Sequence, residues 1–108
     1  METIIAYHYS DSKFDNFDES KCDGFWFTDI EPKNEDMLNE IGAAGSRYCA
    51  KCEISFNEEK GLDRQPKGDV FEAMDSEGAD HWICGYEGFT DYCVKSNEQI
   101  KILEWIEI

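Results

Sequence analysis

Few side chains in this sequence are suited to chemistry, and they lie far apart. His8 closes an apolar run, Trp26 stands inside the triplet Phe25-Trp26-Phe27, and Glu87 and Asp91 flank a glycine-containing turn. Singly, each has an adequate structural explanation. A histidine at a strand end is usually a hydrogen-bonder, an aromatic triplet is usually core, and an aspartate beside a turn is usually a cap or a solvated charge. The five cysteines, Cys22, Cys49, Cys52, Cys84 and Cys93, are odd in number, and reduced thiols in a cytosol are the expectation. Cys49-Ala-Lys-Cys52 has zinc-like spacing, but no second close pair accompanies it. Its surroundings, "RYCAKCEISF", read as a strand, which would aim positions 49 and 52 at opposite faces. Buried structural cysteine is therefore expected, with a redox pair a distant second and no metal site.

Ten basic against 25 acidic residues give a formal net charge of -15, which argues against direct nucleic-acid binding. The same charge suits a basic protein partner, or an imitation of the nucleic-acid backbone, and it also serves solubility. No apolar run approaches the ~18 residues a membrane span needs. The opening "METIIAYHYSDSK" has neither the basic flank nor the long apolar core of a secretory leader, so a cytoplasmic location is expected. The 108 residues are read as one domain, 1–108.

The elements that must position these side chains are short. Thr3 to His8 is strand-like, Asp11 to Gly24 is a polar loop carrying Phe14 and Phe17, and Phe25 to Thr28 is an aromatic strand. Pro32 and Asn34 open a helix over about Glu35 to Ile41, with Met37, Leu38 and Ile41 at helical spacing, and Gly42 and Gly45 weaken or end it. A strand follows from Arg47 to Asn57, then the linker-like "NEEKGLDRQPKGD". Asp69 is an N-cap candidate for a second helix with Val70, Phe71 and Met74 on one side. Strands His81 to Gly85 and Phe89 to Lys95 form a hairpin. Gln99 to Ile108 is a last strand whose apolar residues occupy both alternation phases, as in a central strand or a bulged one. The pattern predicts an α+β fold with mostly antiparallel pairing and two short helices.

Taken in order, the motifs gain meaning. A strand ends in His8-Tyr9-Ser10, and a loop leads into Gly24-Phe25-Trp26-Phe27-Thr28-Asp29. "AAGSRYCAKCEISF" enters a long strand, and Gly78-Ala79-Asp80, Tyr92-Cys93-Val94 and Gln99-Ile100-Lys101-Ile102 close the chain. This succession resembles the ADP-ribosyltransferase family, which includes poly(ADP-ribose) polymerases, diphtheria-type toxins and small domains of phages and mobile elements. The family's motifs are His-Gly-Ser/Thr and Gly-x-Tyr-Phe-Ala/Thr-Asp. The resemblance spans nearly the whole chain except the segment after Asn57.

The resemblance implies split antiparallel β-sheets with an NAD cleft between them, and transfer of ADP-ribose from NAD to a host or rival protein. His8 would bond the adenosine ribose, the Tyr9 backbone would hold the nicotinamide amide, and Ser10 would support the nicotinamide ribose. Trp26 would stack on nicotinamide between its neighbours Phe25 and Phe27, and Asp91 would stabilise the oxocarbenium-like state. Arg47, Lys13 and Arg64 are the cations considered for the pyrophosphate. Three positions depart from the family: Tyr9 stands for Gly, Trp26 for Tyr, and Asp91 for Glu, one methylene shorter. These departures keep an alternative in view, an inactive acidic protein of phage anti-defence type that inhibits a basic nucleic-acid-binding partner.

Overall fold

A computed structural model of the protein describes residues 1–17, 25–62 and 64–108. Gly24 and Cys22 thus lie outside the described residues. The strands are β1 (Glu2–Ser10), β2 (Phe25–Thr28), β3 (Tyr48–Phe56), β4 (His81–Tyr86), β5 (Phe89–Val94) and β6 (Ile100–Glu107). Helix α1 (Glu35–Glu40) precedes β3, and α2 (Val70–Glu77) precedes β4. The result is an α+β domain with one antiparallel six-stranded sheet, in the order β4-β5-β2-β1-β3-β6.

Where two separate sheets were expected, hydrogen bonding makes one. Its halves, β4-β5-β2 and β1-β3-β6, meet at a single registered pair, Tyr7 with Thr28. On the far side of β1, the pairing with β3 is continuous from Glu2↔Phe56 to Ser10↔Tyr48. The narrow seam follows from the shortness of β2, whose four residues are also fully paired to β5.

Both halves turn apolar residues toward one core. Ala6 of β1, Phe25 and Phe27 of β2, Ala50, Cys52 and Ile54 of β3, and Val94 of β5 are buried together. Phe17, from the loop after β1, closes this core, and its backbone is held at both N–H and C=O by the Asn97 side chain. On the opposite face of β4 and β5, α2 lays Met74 over Trp82 and Cys93. A third cluster joins Leu38 of α1 to Ile30 and Ala43.

Both helices are too short to persist alone, so caps and packing hold them. Asp69 Oδ1 accepts from the N–H groups of Phe71 and Glu72 at 2.8 and 3.3 Å. Gly78 ends α2 at φ +69, a left-handed conformation that glycine adopts without a Cβ penalty. Asn34 caps α1 through the Met37 N–H.

Two expectations are refined. The last strand is an edge strand, and its mixed apolar phases come from a bulge. Lys51 pairs with Glu104 and Cys52 with Ile102, so Leu103 is the extra residue. Its insertion lets Ile100, Ile102 and Trp105 all pack on the core. The linker-like segment is structured in its first half: Gly61 bridges to His81, the Leu62 N–H donates to the His81 carbonyl at 2.9 Å, and Leu62 is buried. Glycine permits this approach, since a Cβ at position 61 would stand 3.0 Å from His81 Nε2.

Gln99 ties the C-terminal motifs together. Its Oε1 accepts from the N–H groups of Lys95 and Ser96, both at 3.0 Å, and its Nε2 donates to the carbonyls of Ser55 and Asp80 at 3.2 and 2.9 Å. Asp80 in turn accepts from the Asn57 N–H at 2.9 Å and bonds His81 Nδ1 at 2.7 Å. Gln99→Ala should lower unfolding free energy by about 1–3 kcal/mol, because four backbone groups lose their partner. Urea denaturation measures this, and an unchanged midpoint would show that water replaces the amide.

Candidate functional site

At the seam, a side chain takes over where the strand ladder stops. His8 Nδ1 lies 2.8 Å from the Trp26 carbonyl oxygen. A carbonyl can only accept, so Nδ1 carries the proton. Burial pulls the imidazole below its ordinary pKa, against this hydrogen bond, which favours the charged form. The ring packs among Phe17, Phe27 and Phe14, at centroid distances of 4.8, 5.7 and 5.9 Å. His8 is therefore a neutral imidazole bridging β1 to β2.

A cavity of about 360 Å³ opens at this seam. Tyr7 to Tyr9 line it from β1, Trp26 to Thr28 from β2, the end of α1 and the turn beyond it from above, and Asp91 from β5. Alternation assigns these side chains to faces. Tyr7, Thr28 and Asp91 are successive partners across the sheet and share one face. Trp26 belongs to the same face: its Cα partner is Cys93, and its ring meets Trp82 edge-to-face at 5.7 Å. His8 and Phe27 point the other way, into the shared core, and form the back wall.

The seven residues expected from the sequence thus separate. Tyr9, Trp26 and Asp91 converge on the cavity, and His8 and Phe27 line it from behind. Phe25 and Ser10 do not line it. Phe25 follows the parity of Phe27 and is buried against Phe17. Ser10 closes a local turn, its Oγ donating to the Ser12 carbonyl at 2.9 Å and accepting from the Ser12 N–H at 3.3 Å. Of the cations considered, Arg64 is bound to Glu77 at 2.6 Å and Lys13 lies over the Tyr48 ring at 5.2 Å; neither these nor Arg47 lines the cavity.

Tyr9 and Asp91 are held differently. The Tyr9 hydroxyl donates to the Ile30 carbonyl at 2.6 Å, tying β1 to the chain beyond β2. Burial, then the neighbouring Cys49, raises its pKa far above the ordinary phenol value. Burial pushes the Cys49 thiol up to about 11 and the Cys52 thiol up to about 12, so neither is a nucleophile near neutrality. These cysteines also occupy opposite faces, Cys49 opposite Tyr9 and Cys52 in the shared core. Among the described residues, no three His, Cys, Asp or Glu side chains converge as metal ligands.

Asp91 is raised by burial and then by the charge of Asp29. Asp29 clasps the neighbouring position of β5: its N–H donates to the Thr90 carbonyl at 3.2 Å, and its Oδ1 accepts from the Thr90 N–H at 2.9 Å. Sequence reasoning quoted Asp29 within its motif but gave it no role, and read Gly42 only as a helix end. The clue available for Asp29 was its place after a strand that must pair beside Asp91.

A testable sign follows for this carboxylate pair. Asp29→Asn keeps an acceptor for Thr90 but removes the like charge, so the Asp91 pKa should fall. NMR titration of the Asp91 side-chain carbon measures it, and an unmoved value would remove Asp29 as a cause. Because the folded pKa lies above the unfolded one, ionised Asp91 costs stability at neutral pH, and this cost is relieved as pH falls through the folded pKa. Asp91→Asn should accordingly be at least as stable as the parent at pH 7.

No protein-family model, curated protein or solved structure matches the chain, so its own residues carry the functional reading.

Proposed function

We propose that the protein is a mono-ADP-ribosyltransferase that receives the nicotinamide half of NAD in the seam cavity and transfers ADP-ribose to a protein. The observation that carries this reading is the convergence of Tyr9, Trp26 and Asp91 on one cavity, from three strands distant in sequence. The cavity's volume of about 360 Å³ suits a ring and its ribose better than a whole dinucleotide, and lies at the lower end of the ~300–1,000 Å³ typical of ligand sites.

The chain's residues supply binding and charge. Trp26, 37% exposed, offers an aromatic surface for stacking. Thr28 and Ser46 add hydroxyls to the lining. The reaction breaks the bond between ribose C1′ and the pyridinium nitrogen, whose electron pair leaves with neutral nicotinamide. Positive charge then develops on the ribose, where the Asp91 carboxylate opposes it in a partly desolvated setting. The acceptor's nucleophile bonds to C1′ and releases its proton to solvent.

The acceptor is a host or rival protein in the cytoplasm of a phage- or mobile-element-bearing cell. The -15 charge favours a basic partner. That charge also supports a second reading, a non-catalytic inhibitor of a basic nucleic-acid-binding protein. Its complex would be salt-sensitive and would survive combined His8→Ala and Asp91→Ala substitution.

Incubation with NAD labelled in its adenylate portion and a host lysate tests the first reading. Label should appear on protein and fall roughly a hundredfold or more in Asp91→Ala, the scale for loss of a group that stabilises developing charge. Absence of both label and nicotinamide release with the parent protein would overturn it.

A further inference from the structure

The seam cavity has a consistent electrostatic sign. Among its described lining residues are one carboxylate, Asp91, and no lysine or arginine. His8, pulled toward neutrality by burial, adds no positive charge. The Asp29 carboxylate adds a like charge that acts on Asp91. Helix α1 borders the cavity through Ile41, Gly42 and Ala43, the residues that follow its C-terminal end. That end carries partial negative charge, and its N–H groups are engaged, those of Ile41, Gly42 and Ala43 donating to the carbonyls of Met37, Asn39 and Leu38. Two lysines elsewhere face acids of their own, Lys33 at 3.4 Å from Glu31 and Lys95 at 2.9 Å from Asp75.

Phosphate groups are held by Lys, Arg or helix N-termini. The described lining offers none of these. What it does offer, an indole surface beside a partly desolvated carboxylate, is the combination that attracts a flat cation.

We infer that the cavity selects a positively charged N-ribosylated pyridinium over a neutral isostere by its charge. This rests on the donor reading above and names the part of the donor that the protein recognises. Nicotinamide riboside, which carries the cationic ring and ribose, is then the simplest probe of the cavity. A bound cation also favours ionised Asp91, so affinity falls as pH drops through the Asp91 pKa.

Calorimetric titration with three probes tests the inference: nicotinamide riboside, NAD, and benzamide riboside, a neutral isostere with carbon in place of the ring nitrogen. The cationic riboside should bind about tenfold more tightly than the neutral one, the scale of a desolvated cation–π contact with a nearby charge. Asp91→Asn, checked for folding by circular dichroism, should reduce the cation preference to within about threefold, the contact with Trp26 remaining. Added salt should weaken binding of the riboside cation but not of net-negative NAD, whose repulsion by the acidic protein is screened.

Equal affinity for the two ribosides, or unchanged preference in Asp91→Asn, would overturn charge selection. Binding of NAD without any preference between the two ribosides would overturn charge selection while leaving the donor reading intact. Failure of both NAD and the riboside to bind would overturn the inference and the donor reading together.

Discussion

The constraint on which this structure turns is the seam between β1 and β2. A normal sheet would satisfy the Trp26 carbonyl with a strand N–H, but here the His8 imidazole does so. Strand β1 thus meets β2 through one registered backbone pair and the His8 side chain, and a cavity opens beside them. The bridge needs the proton on Nδ1, and burial among Phe14, Phe17 and Phe27 favours the neutral ring. The loop after β1 thereby serves the seam as well as the core. Asn97, just before β6, holds that loop by the Phe17 backbone.

The opposite face is arranged less favourably for stability. Trp26 is left 37% exposed, and Asp91 is partly desolvated beside a like charge. Removing either feature would make an easier sheet. Both are held in place by firm neighbours: Trp82 supports the Trp26 ring, and Asp29 fixes the β5 backbone next to Asp91. Local cost concentrated around one cavity, on a scaffold that is otherwise well satisfied, is the usual physical mark of a binding site.

Much of the fold was legible in the residues. Each strand and helix announced itself through alternation or through a cap, as with Asp69 and Gly78 around α2. The mixed apolar phases of the last strand pointed to the bulge now seen at Leu103. What could not be read was the relation between strands. Alternation within "FWFT" already separated Trp26 from Phe25 and Phe27, yet it could not show which face Asp91 would share. The joining of the half-sheets depends on the register of Tyr7 with Thr28, a long-range fact that leaves no local trace. The segment after Asn57 looked like a linker because its anchor is one apolar side chain, Leu62, beside a glycine that tolerates His81. The local turn that Ser10 closes was equally hidden, because a serine that can touch a ligand can also bond its own backbone neighbour.

The central claim is that ligand enters the seam on the face of Trp26 and Asp91. Amide and indole shift mapping by two-dimensional NMR during an NAD titration tests it most directly. The account predicts saturable movement of the Trp26 indole N–H together with the backbone N–H groups of Tyr9, Thr28 and Asp91, while Gly61 and Arg64 remain still. Shifts absent throughout, or confined to residues remote from the seam such as Ile83 on the edge strand, would contradict it.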